Sequence, residues 1–278
     1  MLFSGEIIAS RQNKNIVRLM KLSDRRAREA ERVFRFDGVK LLCEAIKAGL
    51  NLDTVFVKAS AADKLCKSML RLYGYDLEDV KCRLLLVADE LFDKISEENS
   101  PEGVITVAEY IDKVHKSYII KEGNIPGVSE GGVLLLESVR DPQNVGAVIR
   151  SAAALGICCL AMSEDCADIY NPRTVRAAMG TLFIQPIVRV DSLPEYVCAL
   201  RNAGRKVYAA ALDPSAVALG SFELEKGACV AVGNEGHGLS QELIDACDAK
   251  LYIPMREGTE SLNAAVASAL IMWEMDRL

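Results

Sequence analysis

Three segments of the chain place polar side chains where chemistry could use them. In LLLESVRDPQNVGAVIRSAAALG, residues 134–156, an apolar run passes into a polar turn and then a helical pattern. Asn144 falls at the helix start. Arg150 follows six residues on, flanked by Val148, Ile149, Ala152 and Ala153. A guanidinium keeps its charge, so among such neighbours it calls for an anion or a carboxylate. A salt bridge to another element meets that need equally well. In CVAVGNEGHGLS, residues 229–240, Gly233, Gly236 and Gly238 let backbone approach a ligand closely, and Glu235 adds a carboxylate. An ordinary turn explains the glycines equally well, and His237 reads as a loop residue. In LYIPMREGTESLNAAVASALIMWE, residues 251–274, a strand ends at Ile253-Pro254, and Ser261 and Asn263 stand at the mouth of a long helix. Both are good capping residues. With the free N–H groups of a helix start they also make a platform for a ligand.

Other chemistries lack their residues. There is no GxxxxGK[ST], GxGxxG, GxSxG or HExxH. The nine cysteines include no CxxC pair, and most lie in apolar surroundings, so they read as reduced, buried thiols. With only His115 and His237, no metal site is expected.

These segments need a scaffold, and the chain is long enough for one large domain or two ordinary ones: 278 residues, half hydrophobic and 26% charged. That composition excludes disorder, collagen and coiled coil. No run of 18 apolar residues occurs and the N-terminus lacks a signal-peptide core, which points to the cytoplasm and away from membranes. The net charge of −6 is uneven. Residues 1–50 hold 11 Lys/Arg against 6 Asp/Glu, a net of +5, on a body of −11. Such a segment suits a local polyanion contact, although a solvated helix face explains it too.

Strand and helix patterns alternate through residues 1–108, which predicts a parallel-rich sheet. Residues 109–131 lack a clear period and hold Pro126 and three glycines, Gly123, Gly127 and Gly131, which marks a linker. The alternation restarts over 132–278. There Val133 to Glu137 is an apolar run, as a buried parallel strand should be, and a long helix closes the chain at 262–276.

Together and in this order, the three segments resemble the SpoU branch of the knotted SPOUT RNA methyltransferases. Asp141-Pro142-Gln143-Asn144-Val145-Gly146, then Arg150, Ala152 and Gly156, match the pattern DPxNxGxxxRxAxxxG. Gly233-Asn234-Glu235-Gly236-His237-Gly238 matches GxExxG, and Ile253-Pro254-Met255 with Ser261-Leu262-Asn263 matches the third motif, with Gly258 one place later than usual. IASRQNKNIVRLMKL and RVFRFDG are similar to the substrate-binding domain of such enzymes, Asp37 standing where glutamate is usual.

The resemblance implies an α/β protein with a C-terminal trefoil-knotted SPOUT methyltransferase domain and a smaller N-terminal L30e-like domain. It implies S-adenosylmethionine as cofactor and methylation of a ribose 2′-hydroxyl of RNA, foremost ribosomal RNA, by a homodimer. A transfer RNA methyltransferase and a non-catalytic RNA-binding homologue are the alternatives. Asn144, Arg150, Glu235, Ser261 and Asn263 take the catalytic roles by this likeness. Asn144 and Glu235 would orient Arg150 and the substrate. Ala211, Gly233, Ile253, Pro254 and Leu262 take the cofactor, and Arg11, Lys14, Arg25, Arg26 and Arg28 take RNA phosphates.

Overall fold

The computed structural model describes residues 6–75, 77, 80–111, 131–234, 236–256, 258 and 261–276. Most of the linker expected over 109–131 therefore lies outside the described residues. The chain forms two compact units, Met1–Ile111 with Tyr170–Phe183, and Asp112–Ile169 with Ile184–Leu278.

The first unit runs α1 (Lys14–Lys21), α2 (Arg25–Glu31), β1 (Val33–Asp37), α3 (Val39–Lys47), β2 (Leu52–Lys58), α4 (Ala62–Tyr73), β3 (Arg83–Val87), α5 (Asp89–Ile95) and β4 (Val104–Glu109). The sheet order is β1-β4-β2-β3. Ile16, Leu19 and Phe92 of α1 and α5 pack with Phe56, Ile105 and Val107 of the sheet. Leu42, Leu65 and Met69 of α3 and α4 pack with Val55, Val57 and Val104. Alternating inward residues along β2 and β4 thus serve two helical layers. The sheet is mixed and not parallel-rich. Only β2 and β3 run parallel, while β4 lies antiparallel between β1 and β2. Alternation of helix and strand does not fix the direction in which a final strand enters a sheet.

Residues 170–183, counted with 132–278 in the sequence reading, belong to the first unit. Aromatic packing is the reason. Tyr170 stacks on Tyr110 at 3.9 Å between ring centroids and lies 4.7 Å from Phe34, and Phe183 lies 5.5 Å from Phe36. The Tyr170 hydroxyl accepts from the Ile111 N–H at 2.7 Å.

The second unit begins with β5 (Val133–Leu136), α6 (Pro142–Ala154) and β6 (Cys159–Ser163); α7 (Pro172–Ala178) lies in the aromatic-bound segment just described. It continues with β7 (Ile187–Val190), α8 (Leu193–Asn202), β8 (Val207–Ala210), β9 (Val217–Ala218), β10 (Cys229–Val232), α9 (Gln241–Ala246), β11 (Ala249–Tyr252) and α10 (Ala264–Asp276). Its sheet has the order β7-β6-β5-β10-β8-β11-β9, and every pair is parallel. The four residues of β5 and of β10 are all buried, as central parallel strands require. Two-residue β9 is too short to leave a sequence pattern. Asp141 caps α6 through the Gln143 N–H at 2.8 Å, with Pro142 in the first turn, and α10 packs along α6.

Candidate active site

The loops leaving β8, β10 and β11 surround a cavity of about 490 Å³ at the carboxyl ends of the strands. Open parallel sheets bind ligands there. Ala211, Gly233, Ile253 and Leu262 line it, and so do Ser261, Asn234 and His237. Pro254 is exposed and is not among the lining residues. Ala264, Ala267 and Ile271 of α10 form an apolar part of its wall.

The glycine loop has its shape for a steric reason. Asn234 and Gly238 exchange two backbone hydrogen bonds, 3.1 and 2.8 Å, closing a tight turn. A Cβ on Gly233 would collide with the backbone of Gly238 and Leu239, and Gly238 has φ 69°. The side chain of Asn234 accepts from the Gly236 N–H at 2.8 Å and donates to the Ser138 carbonyl at 2.9 Å. It thereby ties this loop to the one leaving β5. Sequence reasoning gave Asn234 no role; its place between a strand end and a glycine was the available signal. Glu235 lies outside the described residues.

The first and third motif segments meet directly. The Asn263 amide donates to the Asn144 side-chain oxygen at 3.0 Å. The other end of the Asn263 amide accepts from the N–H groups of Ala265 and Val266, at 2.9 and 3.3 Å, and so caps α10. The cap that explains Asn263 as mere structure and the contact to Asn144 thus coexist in one side chain.

Arg150 differs from its expected setting. Val148, Ile149 and Ala152 are buried, but Arg150 is exposed on the other side of α6. Neighbours one or two places away in a helix sequence do not share its face. No hydrogen bond or ion pair joins Arg150 to another described residue, so its guanidinium is available to an outside anion. The orienting contact expected from Asn144 goes to Asn263.

The loop after β5 is braced from below. Asp165 accepts from Ser138 Oγ at 2.6 Å, Ser163 Oγ at 2.7 Å and Arg140 Nη2 at 3.0 Å. Burial alone would raise its pKa, but these three donors and the arginine charge bring it down to about 2. Glu137 holds the start of α9 by accepting from the Ser240 N–H and hydroxyl at 2.6 and 2.7 Å.

In the first unit, Arg11, Lys14 and Arg26 are exposed. Arg25 is exposed and paired with Glu29 at 2.7 Å. Arg28 corrects the sequence reading. It is 1% exposed and donates to the carbonyls of Leu22 and Ser23 at 2.7 and 2.9 Å, which leaves it no reach to a phosphate. Asp37 has a bracing role, accepting from Arg35 at 3.0 Å, Ser96 at 2.7 Å and the Glu97 N–H at 3.0 Å. Among the described residues no group of His, Cys, Asp or Glu could hold a metal ion, and no helix is long and apolar enough to cross a membrane.

A parallel α/β unit with a ligand cavity at its strand ends, mouthed by a capped helix, defines the class. The chain belongs to the SpoU rRNA methylase family, whose pattern matches residues 132–273. An MRM3-like substrate binding domain matches residues 13–106. The chain is 30% identical to the 23S rRNA (guanosine(2553)-2′-O)-methyltransferase RlmP of Bacillus subtilis, over 96% of this chain and 98% of that protein. It is 29% identical to the 23S rRNA (uridine(2479)-2′-O)-methyltransferase of Streptomyces viridochromogenes, over 92% and 86%. Among solved structures, it is similar to the SpoU methyltransferase AviRb of S. viridochromogenes in complex with AdoMet, with a TM-score of 0.79, 29% identity, and 96% and 98% of the two chains covered. An AdoMet-bound rRNA methyltransferase from Sinorhizobium meliloti gives 0.80, 25%, 98% and 97%.

Proposed function

We propose that the chain transfers a methyl group from S-adenosylmethionine to a ribose 2′-hydroxyl of ribosomal RNA. The observation that carries this reading is the Asn144–Asn263 hydrogen bond at 3.0 Å. It joins two motif segments beside a cavity whose rim includes Ser261 and Leu262. The cavity suits such a cofactor. Its volume lies within the roughly 300–1,000 Å³ usual for ligand sites, and its Gly233 backbone admits no Cβ.

Ala211, Gly233, Ile253 and Leu262 would hold the adenosyl part, Pro254 shaping the loop behind Ile253. The bound cofactor supplies an activated methyl on a sulfonium. The chain's task is to align the hydroxyl, strengthen it as a nucleophile and exclude water. As a guanidinium, Arg150 binds the phosphate or ribose and favours the alkoxide electrostatically rather than as a base. Ser261 and Asn263 orient the hydroxyl at the helix mouth, Asn144 steadies Asn263, and Glu235 takes part in orienting the substrate. Exposed Arg11, Lys14, Arg25 and Arg26 meet RNA phosphates, which set affinity and salt dependence and not sequence choice.

The same reading places an L30e-like fold in residues 1–108, a linker over 109–131, a trefoil knot within 132–278, and the working enzyme in the cytoplasm as a homodimer. For the dimer, Val266, Leu270 and Trp273 lie four and three residues apart on α10 and are 49%, 43% and 60% exposed. That apolar line suits a second copy. Light scattering should give a dimer for the wild type and a monomer for Trp273→Glu; a monomeric wild type overturns the assignment.

Tritiated methyl transfer to bulk rRNA tests the function. Arg150→Ala should lower the rate on the order of 10²- to 10³-fold without loss of cofactor binding. Absence of transfer by the wild type to rRNA, with transfer to tRNA instead, moves the substrate. Absence of transfer to either favours a non-catalytic RNA-binding protein.

A further inference from the structure

Ser138 is one of three described non-glycine residues with a left-handed backbone, at φ 56°. For a residue with a Cβ this conformation carries a steric penalty and persists only where neighbours enforce it. Here the whole residue is gripped. Its N–H donates to Ser163 Oγ at 2.9 Å and its hydroxyl to Asp165 Oδ2 at 2.6 Å. Its carbonyl accepts from Asn234 Nδ2 at 2.9 Å. Ser163, which receives the N–H, itself donates to Asp165 Oδ1 at 2.7 Å. Both oxygens of one carboxylate therefore act on the turn, one directly and one through Ser163. Next door, the Val139 carbonyl accepts from the Ala167 N–H at 2.9 Å, and Asp141 begins α6 three residues later, with Asn144 in its first turn.

We propose that Asp165 is a positioning residue for the transfer site. By clasping the Ser138 turn, it sets the glycine loop, through Asn234, and the start of α6 with Asn144, in one fixed arrangement. This rests on the methyl-transfer reading above. No motif includes Asp165, and its hydrogen bonds go to Ser138, Ser163 and Arg140 and not to the residues that line the cavity.

The test uses Asp165→Asn, Ser138→Gly and the double variant of the full chain. In the cofactor-free protein, amide exchange at Ser138, Val145 and Gly236 should speed up about tenfold in Asp165→Asn while the core strands keep their protection. The transfer rate kcat should fall about ten- to a hundredfold with KM for RNA unchanged. Glycine adopts positive φ without strain, so Ser138→Gly should restore most of both losses in the Asp165→Asn background. A merely structural carboxylate would give no such rescue. Wild-type exchange in Asp165→Asn, or no recovery in the double variant, overturns the proposal. Should Asp165→Asn fail to fold, Ser163→Ala removes the other half of the clasp, and the same rescue by Ser138→Gly decides. If the wild type transfers no methyl group, the exchange measurements still stand by themselves.

Discussion

The two units use their polar side chains differently. In the first, several arginines are held by neighbouring groups, two of them buried. Arg18 is shared by Glu31 and Asp53 at 2.5 and 2.6 Å, Arg35 is 2% exposed against Asp37 and the Ile95 carbonyl, and Arg28 braces two carbonyls. A basic segment in sequence is thus partly a set of internal ties. In the second unit Arg189 is tied the same way, to the Glu164 and Ala167 carbonyls at 2.9 Å each, but the arginine of the site is not. Arg150, placed by sequence among apolar neighbours, is exposed and unpaired among the described residues, and the polar groups near the cavity are braced by backbone and by one another. Charge in a sequence shows its reach only once burial is known, whereas spacing that joins a strand end to a helix start shows it beforehand.

The largest effect that sharpens this contrast comes from the thiols. Burial raises Cys43 in the first unit to about 11, and Cys159 and Cys229 in the second to about 12 and about 11. From a starting value of 9.0, each folded thiol holds its proton where the unfolded one loses it. Their contribution is complete below about pH 9 and declines as the pH rises toward the folded values. Denaturant unfolding at pH 8 and pH 10 should differ on the order of 1 kcal/mol per thiol. Cys159→Ala and Cys229→Ala together should flatten the pH dependence more than Cys43→Ala does. An equal effect would erase the asymmetry between the two cores.

Glycines separate the units next. A Cβ at Gly74, in the first unit at φ 72°, meets nothing within 4 Å, whereas at Gly233 it strikes backbone. Gly74→Ala should cost about 1 kcal/mol from the backbone conformation alone and leave the cavity intact. Gly233→Ala should cost about 1–3 kcal/mol and weaken cofactor binding at least about tenfold, because the Asn234–Gly238 turn must open. Calorimetric cofactor titration beside unfolding curves checks both; normal binding in Gly233→Ala would remove the loop from the site.

Much of the second unit was legible because its signals are local. The apolar runs of β5 and β10 fit central parallel strands, and Pro142 after a capping Asp141 fits a helix start. The three motifs converge where spacing alone suggested a helix mouth. What was hidden depends on distant partners. Tyr170 joins the first unit because Tyr110 and Phe34 lie 60 and more residues earlier, and β4 inserts antiparallel through a pairing that no helix–strand rhythm encodes. Asp165 sits in a polar stretch, SEDCAD, with nothing to distinguish it from Glu164 or Asp168 until Ser138 and Ser163 are placed beside it.

The finest distinction lies among the three arginines Arg25, Arg26 and Arg28 of α2, which the sequence treats alike. Arg28→Ala should cost about 1–3 kcal/mol, since the Leu22 and Ser23 carbonyls lose their buried donor. RNA affinity of the folded protein should not change. Arg25→Gln should cost about 0.3–0.5 kcal/mol, the worth of its exposed pair with Glu29 four residues on. Arg26→Gln should leave stability unchanged. On RNA the ranking turns over. On the proposed reading, Arg26 would meet a phosphate without first leaving a partner, whereas Arg25 would have to give up Glu29. In a salt titration, removing Arg26 should therefore reduce the log–log slope by about one, and removing Arg25 by less. If Arg28→Ala flattens the slope while melting normally, the inward placement of that arginine is not what governs its role.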